Sequence, residues 1–253
     1  MKTGIFITAR LGSTRLKKKH LLPINGQPAI HYLFTRIAVE FKKELNDATA
    51  KIVIVTSDEK ENREFEFVKD YGVEVFYGSK ENIPLRHLQA AVALALDNIV
   101  SVDGDDILCS VDGMRQVYGA LRQGRSYVKT NNLPFGMNSF GYSREFLAKS
   151  LRGNLEMTLE TGWGRIFDND QLHTINLPFE FQSDLLRFTL DYNEDFAFFK
   201  AVIEDIGDNI YQAKDKEIVQ TVMEKELFKA NEAISKEYWN NFYAKMAEEK
   251  NEV

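Results

Sequence analysis

The chain has 253 residues, 44% of them hydrophobic and 28% charged, with a formal net charge of −6. That is ordinary globular composition, and the acidic balance argues against nucleic acid as a partner, so a polyanion site must be a local basic pocket on an acidic body. The single cysteine, Cys109, excludes an internal disulfide and a multi-cysteine metal centre, and the absence of a signal-peptide pattern or a bilayer-length apolar run makes a cytoplasmic protein with no membrane partner the expectation.

Ile5-Phe6-Ile7 is a short apolar run of the kind that forms a buried strand. The loop behind it carries five cations, Arg10, Arg15, Lys17, Lys18 and Lys19, around Gly12, Ser13 and Thr14. Backbone N–H groups in such a loop converge on phosphate oxygens. Arginine adds bidentate pairing and lysine a point charge. A lysine run by itself is usually a solvated surface; Arg10 and Arg15, at the strand-to-loop junction, point to phosphate instead.

Ile30 to Leu45 shows a helical stripe through Ile30, Leu33, Phe34, Ile37, Ala38 and Phe41. Lys51 to Thr56 is a second buried-strand run. Glu59 to Tyr71 reads as a surface helix with Phe65 and Val68 inward, ended by Gly72 as a C-cap. Val73 to Phe76 is a third strand, Ile83 to Leu96 a helix, and Ile99 to Val102 a fourth strand. Asp103-Gly104-Asp105-Asp106 follows it, and Val111 to Gln123 is helical up to Gly124. Four strand–helix alternations are the pattern of a parallel sheet covered on both faces. Such sheets bind ligands beyond the carboxyl ends of their strands, where the polar clusters lie.

The second half is less regular. Tyr127 to Thr130 and Met137 to Tyr142 read as strands, Arg144 to Leu151 as a helix, and residues 153–170 as a loop with one short helix. Leu172 to Leu177 and Leu186 to Leu190 read as strands. Glu194 to Ile206 is a helix whose Phe196, Phe198 and Phe199 are core. Asp215 to Lys250 gives one or two charged amphipathic helices, whose Phe228, Ile234, Trp239 and Phe242 need a surface to bury against.

Two acidic clusters, Asp103/Asp105/Asp106 and Asp191/Glu194/Asp195, follow strands. Carboxylates near a basic phosphate loop suit Mg²⁺, which takes one or two carboxylates and completes its octahedron with phosphate and water. Glu194 and Asp195 are also explained by a helix N-terminus, with Asn193 as its cap. Cys109 reads as a buried small hydrophobe.

The pattern carried by Ile7, Ala9, Arg10, Ser13, Thr14, Arg15, Leu16, Lys19, Leu21, Ile24, Gly26, Pro28 and Ile30 resembles the signature loop of the sugar-acid cytidylyltransferases. That family includes the CMP-Kdo synthetases, the CMP-acylneuraminate synthetases and the SpsF-type spore-coat polysaccharide proteins. The stretch VSVDGDDIL is similar to the family's V-N-V-Q-G-D-E-P-L, and RFTLDYNEDF to R-x-T-x-D-T-P-E-D-L. Asp103, Asp106 and Ile107 depart from the first pattern and Tyr192-Asn193 from the second.

The resemblance implies an α/β, Rossmann-like nucleotidyltransferase (GT-A-like) sandwich with a mostly parallel central sheet. It implies a single domain over 1–253, with a nucleotide-binding half at 1–125, an acceptor-binding and dimerisation half at 126–210 and a helical extension at 211–253. The implied reaction is Mg²⁺-dependent transfer of CMP from CTP to an acidic sugar or related acceptor, with release of pyrophosphate, for surface polysaccharide biosynthesis. Ala9, Arg10, Gly12, Ser13, Thr14, Arg15, Lys19 and Arg86 would bind nucleotide, with Arg10, Arg15 and Lys19 catalytic. Asp105 and Asp191 would hold Mg²⁺, and the partners would be CTP, a small acceptor and a second copy of the chain. Asn138, Tyr142, Trp163 and Arg165 are the acceptor candidates. The last two lie where SpsF-type proteins usually have R-E-H-V-T-P-Y and this chain has LETGWGRIF, which points to a different acceptor. Three other readings stand beside this one: a phosphate ester or phosphonate acceptor, a glycosyltransferase using Asp103-Gly104-Asp105 as its D-x-D, and a nucleotide-binding protein without activity.

Overall fold

The structure is a computed structural model that describes residues 1–178 and 186–251, with the backbone alone at 235–237, 239–240 and 249–251. Its first strand, β1 (Thr3–Thr8), lies inside a seven-stranded sheet. The other strands are a short hairpin, β2 (Pro23–Ile24) and β3 (Gln27–Pro28), and then β4 (Ala50–Ser57), β5 (Glu74–Gly78), β6 (Asn98–Asp103), β7 (Tyr127–Asn131), β8 (Phe140–Ser143) and β9 (Leu172–Asn176). The large sheet runs β5-β4-β1-β6-β8-β7-β9. β1 pairs in parallel with β4 and β6, and β4 with β5. β8 alone runs antiparallel to its neighbours β6 and β7.

Alternation along the strands fills both faces. Ile5 and Ile7 join one apolar cluster with Ile52, Ile54, Val100 and Val102; Phe6 joins the other with Val53, Val55 and Ile99. Ile5, Phe6 and Ile7 are fully buried, each contributing about 1.5–3 kcal/mol of apolar burial. The first cluster is covered by α1 (Ala29–Glu40), α4 (Val111–Arg122), α6 (Asn193–Ile206) and α7 (Asp215–Glu224), the second by α3 (Ile83–Ala93) and α5 (Arg144–Ser150). Phe198 and Phe199 are core as read, with Phe196 partly buried beside them.

Several expectations shift. The helix read over Ile30 to Leu45 breaks at Phe41, and α2 (Lys42–Asn46) follows as a separate turn. The helix read over Glu59 to Tyr71 is a run of 3-10 turns, Lys60–Tyr71, closed by Gly72 in the left-handed region. It is pinned by buried Asn62, which donates to Ser57 O at 3.0 Å and accepts from Leu11 N at 2.8 Å. The strand read over Met137 to Tyr142 starts only at Phe140, because Met137 N bonds Pro134 O and Met137 O is taken by Ser110 N. No strand forms over Leu186 to Leu190; Arg187 makes one isolated bridge to Phe135, and Leu190 N bonds Asp105 O. The tail forms α7 and α8 (Ile234–Asn251), with Phe228 and Ile234 partly buried. The burial expected of the Trp239 side chain lies outside the described residues.

Candidate active site

The cleft opens where β1 and β6 end. Gly104 N bonds Thr8 O at 2.8 Å, and a Cβ on Gly104 would stand 2.8 Å from the Ala9 Cβ and 3.1 Å from the Thr8 carbonyl oxygen. A side chain there would push the two strand ends apart. The basic loop leaves β1 at Ala9, passes Lys18 in the left-handed region at φ 49° and enters a 3-10 turn at Lys19–Leu21. It is anchored by the β2–β3 hairpin, whose Asn25 and Gly26 both have positive φ (48° and 78°), as the tight two-residue hairpin turn requires.

That path drives Lys19 inward. It is 7% exposed, and its Nζ stands 2.5 Å from Asp105 Oδ2 and 2.8 Å from Asp191 Oδ1. Burial would lower the Lys19 pKa, but Asp105 and Asp191 together outweigh it and hold the ammonium charged. Arg15 reaches the same Asp191 Oδ1 at 2.6 Å, and its net shift is likewise upward against burial. Asp191 would be pushed up by burial; Lys19 and Arg15 instead bring it down to about 2. Asp103 behaves oppositely. Burial first, and Asp105 next, push it up to about 7. Asp106 is also raised well above the usual carboxyl range, by burial first and Asp105 next.

Asp191 is held from behind. Arg187, 1% exposed, donates to Asp191 Oδ2 at 3.2 Å and to Asp195 Oδ1 at 3.0 Å. Asp195 accepts from the backbone N–H groups of Asp191 and Tyr192 at 2.9 and 3.0 Å and from Asn231 Nδ2 at 2.9 Å. Asp195 thus closes the N-terminus of α6, where Tyr192 rather than Asn193 is the capping position.

Arg10 lies on the opposite bank, with NH1 2.5 Å from Glu160 Oε1. Arg86, 1% exposed, spends its guanidinium on Ser79 O and Lys80 O at 2.7 and 2.8 Å, and burial lowers its pKa to about 10. It shapes the cleft wall through the 79–80 turn. The cleft has a volume of about 540 Å³. Its lining includes every residue read as nucleotide-binding, both aspartates read as metal ligands, and Trp163.

The other acceptor candidates are not among its lining residues. Tyr142 is fully buried, with its hydroxyl 2.5 Å from His87 Nδ1. Because β8 is antiparallel, Tyr142 pairs with Ile99 at the far end of β6 from Asp103. Asn138 donates to Leu133 O in its own loop and accepts from Thr130 Oγ1 on β7. Arg165 donates to Thr161 O and Thr158 O at 2.5 and 2.9 Å, bracing the 158–165 loop. Cys109 is buried, as read.

Residues that sequence reasoning did not assign also line this cleft: Glu160, and Tyr238, Asn241, Phe242 and Lys245 on α8. Helical spacing marks the last four as one face, but nothing in the sequence says which surface that face meets. Arg187 and Asp195, four and four residues either side of Asp191, carried a signal in their spacing.

Asp105 and Asp191 fit a divalent cation. Their oxygens converge on one point, and a cationic group, the Lys19 ammonium, stands there. No three or more His, Cys, Asp or Glu side chains converge as a ready cage among the described residues.

The model of the cytidylyltransferase family matches residues 5–160. The chain is 36% identical over 127 residues to 3-deoxy-manno-octulosonate cytidylyltransferase 2 of Hydrogenovibrio crunogenus, a match covering 48% of each chain. It is 26% identical over 217 residues to the spore coat polysaccharide biosynthesis protein SpsF of Bacillus subtilis, covering 80% of this chain and 86% of that one. The solved cytidylyltransferase of Leptospira borgpetersenii superposes with a TM-score of 0.77 over 91% of this chain and 98% of its own, at 23% identity, a likeness of fold. With more than half its length matched by the family model, and with a mostly parallel seven-stranded sheet bringing a basic loop against two aspartates, the chain belongs to the cytidylyltransferase family.

Proposed function

We propose that the protein transfers CMP from CTP to a small acidic sugar or related acceptor, releasing pyrophosphate, in surface polysaccharide biosynthesis. One observation carries the reading: Arg15, Lys19, Asp105 and Asp191 meet in one cleft at the carboxyl ends of β1 and β6. Arg10, Arg15 and Lys19 bind the triphosphate, and backbone N–H groups from Gly12 to Thr14 orient it. An acceptor hydroxyl oxygen then attacks the α-phosphorus, the bond to the pyrophosphate oxygen breaks, and the three cations neutralise charge on the leaving group. Arg187 and Asp195 keep Asp191 oriented. Mg²⁺ held by Asp105 and Asp191 would supply Lewis-acid polarisation of the phosphates. Arg86 acts through the wall it braces, and Trp163 offers a ring edge to the acceptor.

The names of the relatives support a sugar-acid acceptor and a place in polysaccharide biosynthesis. The test crosses the four nucleoside triphosphates, with and without Mg²⁺, with sugar acids, sugar phosphates and small phosphonates. Pyrophosphate release that needs CTP, Mg²⁺ and one sugar acid is the expected result. Release with a phosphonate or phosphate ester alone would move the acceptor class. No release with any pair, and no CTP binding, would remove the reading.

A further inference from the structure

Helix α8 is the last of the described helices, and one of its faces lies on the cleft. Tyr238, Asn241, Phe242 and Lys245, spaced by three, one and three residues, all line it. Each is tied to a different part of the opposite bank. The Tyr238 ring lies 4.2 Å from the Arg187 guanidinium carbon and 5.7 Å from that of Arg15. Asn241 Nδ2 donates to the Tyr192 hydroxyl at 3.1 Å. Phe242 and Met246 pack on Gly162, where a Cβ would stand 2.9 Å from the Met246 sulfur. Lys245 Nζ is 3.7 Å from Glu160 Oε2.

Glu160 is therefore shared. One oxygen holds Arg10 at 2.5 Å, while the other faces Lys245 from beyond hydrogen-bond distance. We propose that α8 is the fourth wall of the nucleotide site and that Lys245 is a positioning residue: when a triphosphate takes Arg10, Glu160 transfers to Lys245 and clasps α8 over the bound nucleotide. The inference rests on the CTP-binding role proposed above. The direction follows from charge. An Arg10 that turns to phosphate leaves Glu160, 16% exposed, with the Lys245 ammonium as its ion-pair partner and with Arg86 and Lys80 acting on it from further off. The buried Arg86 guanidinium is already committed to Ser79 O and Lys80 O, so the carboxylate gains by closing the remaining distance to Lys245. The closure brings Tyr238 and Phe242 over the cleft and keeps water from the α-phosphorus, so that CMP passes to the acceptor rather than to solvent.

The test uses the full chain and α,β-methylene-CTP with Mg²⁺. Hydrogen exchange is followed in α8, and nucleotide affinity is measured by calorimetry, for the native protein and for Lys245→Met and Lys245→Arg. In the native protein, nucleotide slows exchange across Tyr238 to Met246 by about tenfold or more. Lys245→Met loses that protection and binds nucleotide more weakly, because closure and binding are reciprocally coupled, and Lys245→Arg restores both. With CTP itself, Lys245→Met hydrolyses a larger share to CMP in the absence of acceptor. Nucleotide binding with no added protection in α8, or equal protection in Lys245→Met, overturns the clasp and leaves the CTP reading standing. No nucleotide binding by the native protein overturns both.

Discussion

Lys19 is the residue on which two acidic segments meet, one after β6 and one before α6. Its ammonium stands within ion-pair distance of both aspartates, and on the proposed function its removal strips the transition state of a buried cation. Lys19→Met is expected to lower pyrophosphate release by about a hundredfold or more, the range seen when one preorganised charge-stabilising donor is lost. A loss under about tenfold would show that Arg10 and Arg15 suffice. Asp103 makes a different prediction. Its folded pKa, about 7, lies above that of an exposed carboxyl, so the folded state holds a proton that the unfolded state has released. The stability it contributes is full below about pH 4 and is lost as pH rises towards 7. Asp103→Asn removes that loss, so thermal melts should show a higher Tm than the native protein at pH 8 and a matching one at pH 4. A gain of equal size at both pH values would mean that the substitution acts by packing. Asp191 has the opposite sign: held at about 2, it stabilises above the usual carboxyl range and loses that contribution as pH falls towards 2. That the cation loop and Asp105 share one end of the sheet was legible, because both follow buried apolar strands, β1 and β6. The direct pairing of Arg15 and Lys19 with Asp191 was not, since residues 186–190 before Asp191 form no strand. Glu160 was not, since a lone carboxylate in a loop, 150 residues from its partner Arg10, has no local pattern.

At the scale of elements, the ion-pair core of Arg187, Asp191, Asp195 and Asn231 joins the segment after residue 186, the start of α6 and the turn before α8. Removing one member leaves a carboxylate buried without its partner. Arg187→Met should therefore cost about 3–5 kcal/mol, read as a lower urea midpoint with an unchanged slope. An unaltered midpoint would show that Lys19, Arg15 and Asn231 carry those carboxylates by themselves. The same network explains why residues 186–190 do not pair as a strand despite their apolar pattern. Arg187 in their midst is committed to side-chain partners, and the backbone bonds of Phe188 and Leu190 go to two different loops. The 60–71 segment shows a related limit: an apolar stripe at helical spacing does not reveal that a buried asparagine will tie the segment to its neighbours.

Over the whole molecule, the parallel half was readable because continuous apolar runs bounded by turns leave little other choice. The antiparallel β8 was not, since strand direction is set by how the chain returns and not by the residues within the strand. The placement of α8 was hidden for a comparable reason; an amphipathic face states that it needs cover and not where. Burial sets an order of opening. β1 and β6, dry on both faces, should exchange their amides only through global unfolding, while β9, half exposed at the sheet edge, should exchange sooner. Mass-resolved hydrogen exchange reads this directly, and equal rates in β6 and β9 would contradict it. The bridge formed by Lys19 and Arg15 on Asp191 has a consequence of its own. On the proposed function each side of the cleft occupies the other's ligand sites: the aspartates hold the cations a polyanion would take, and the cations hold the carboxylates a metal would take. On that function, a metal ion bound at the carboxylates would free Lys19 and Arg15 for a polyanion, and a polyanion bound at those cations would free the carboxylates. The two ligands would then be heterotropic partners, each raising the other's affinity by the same factor, and the cleft would discriminate against either one arriving without the other.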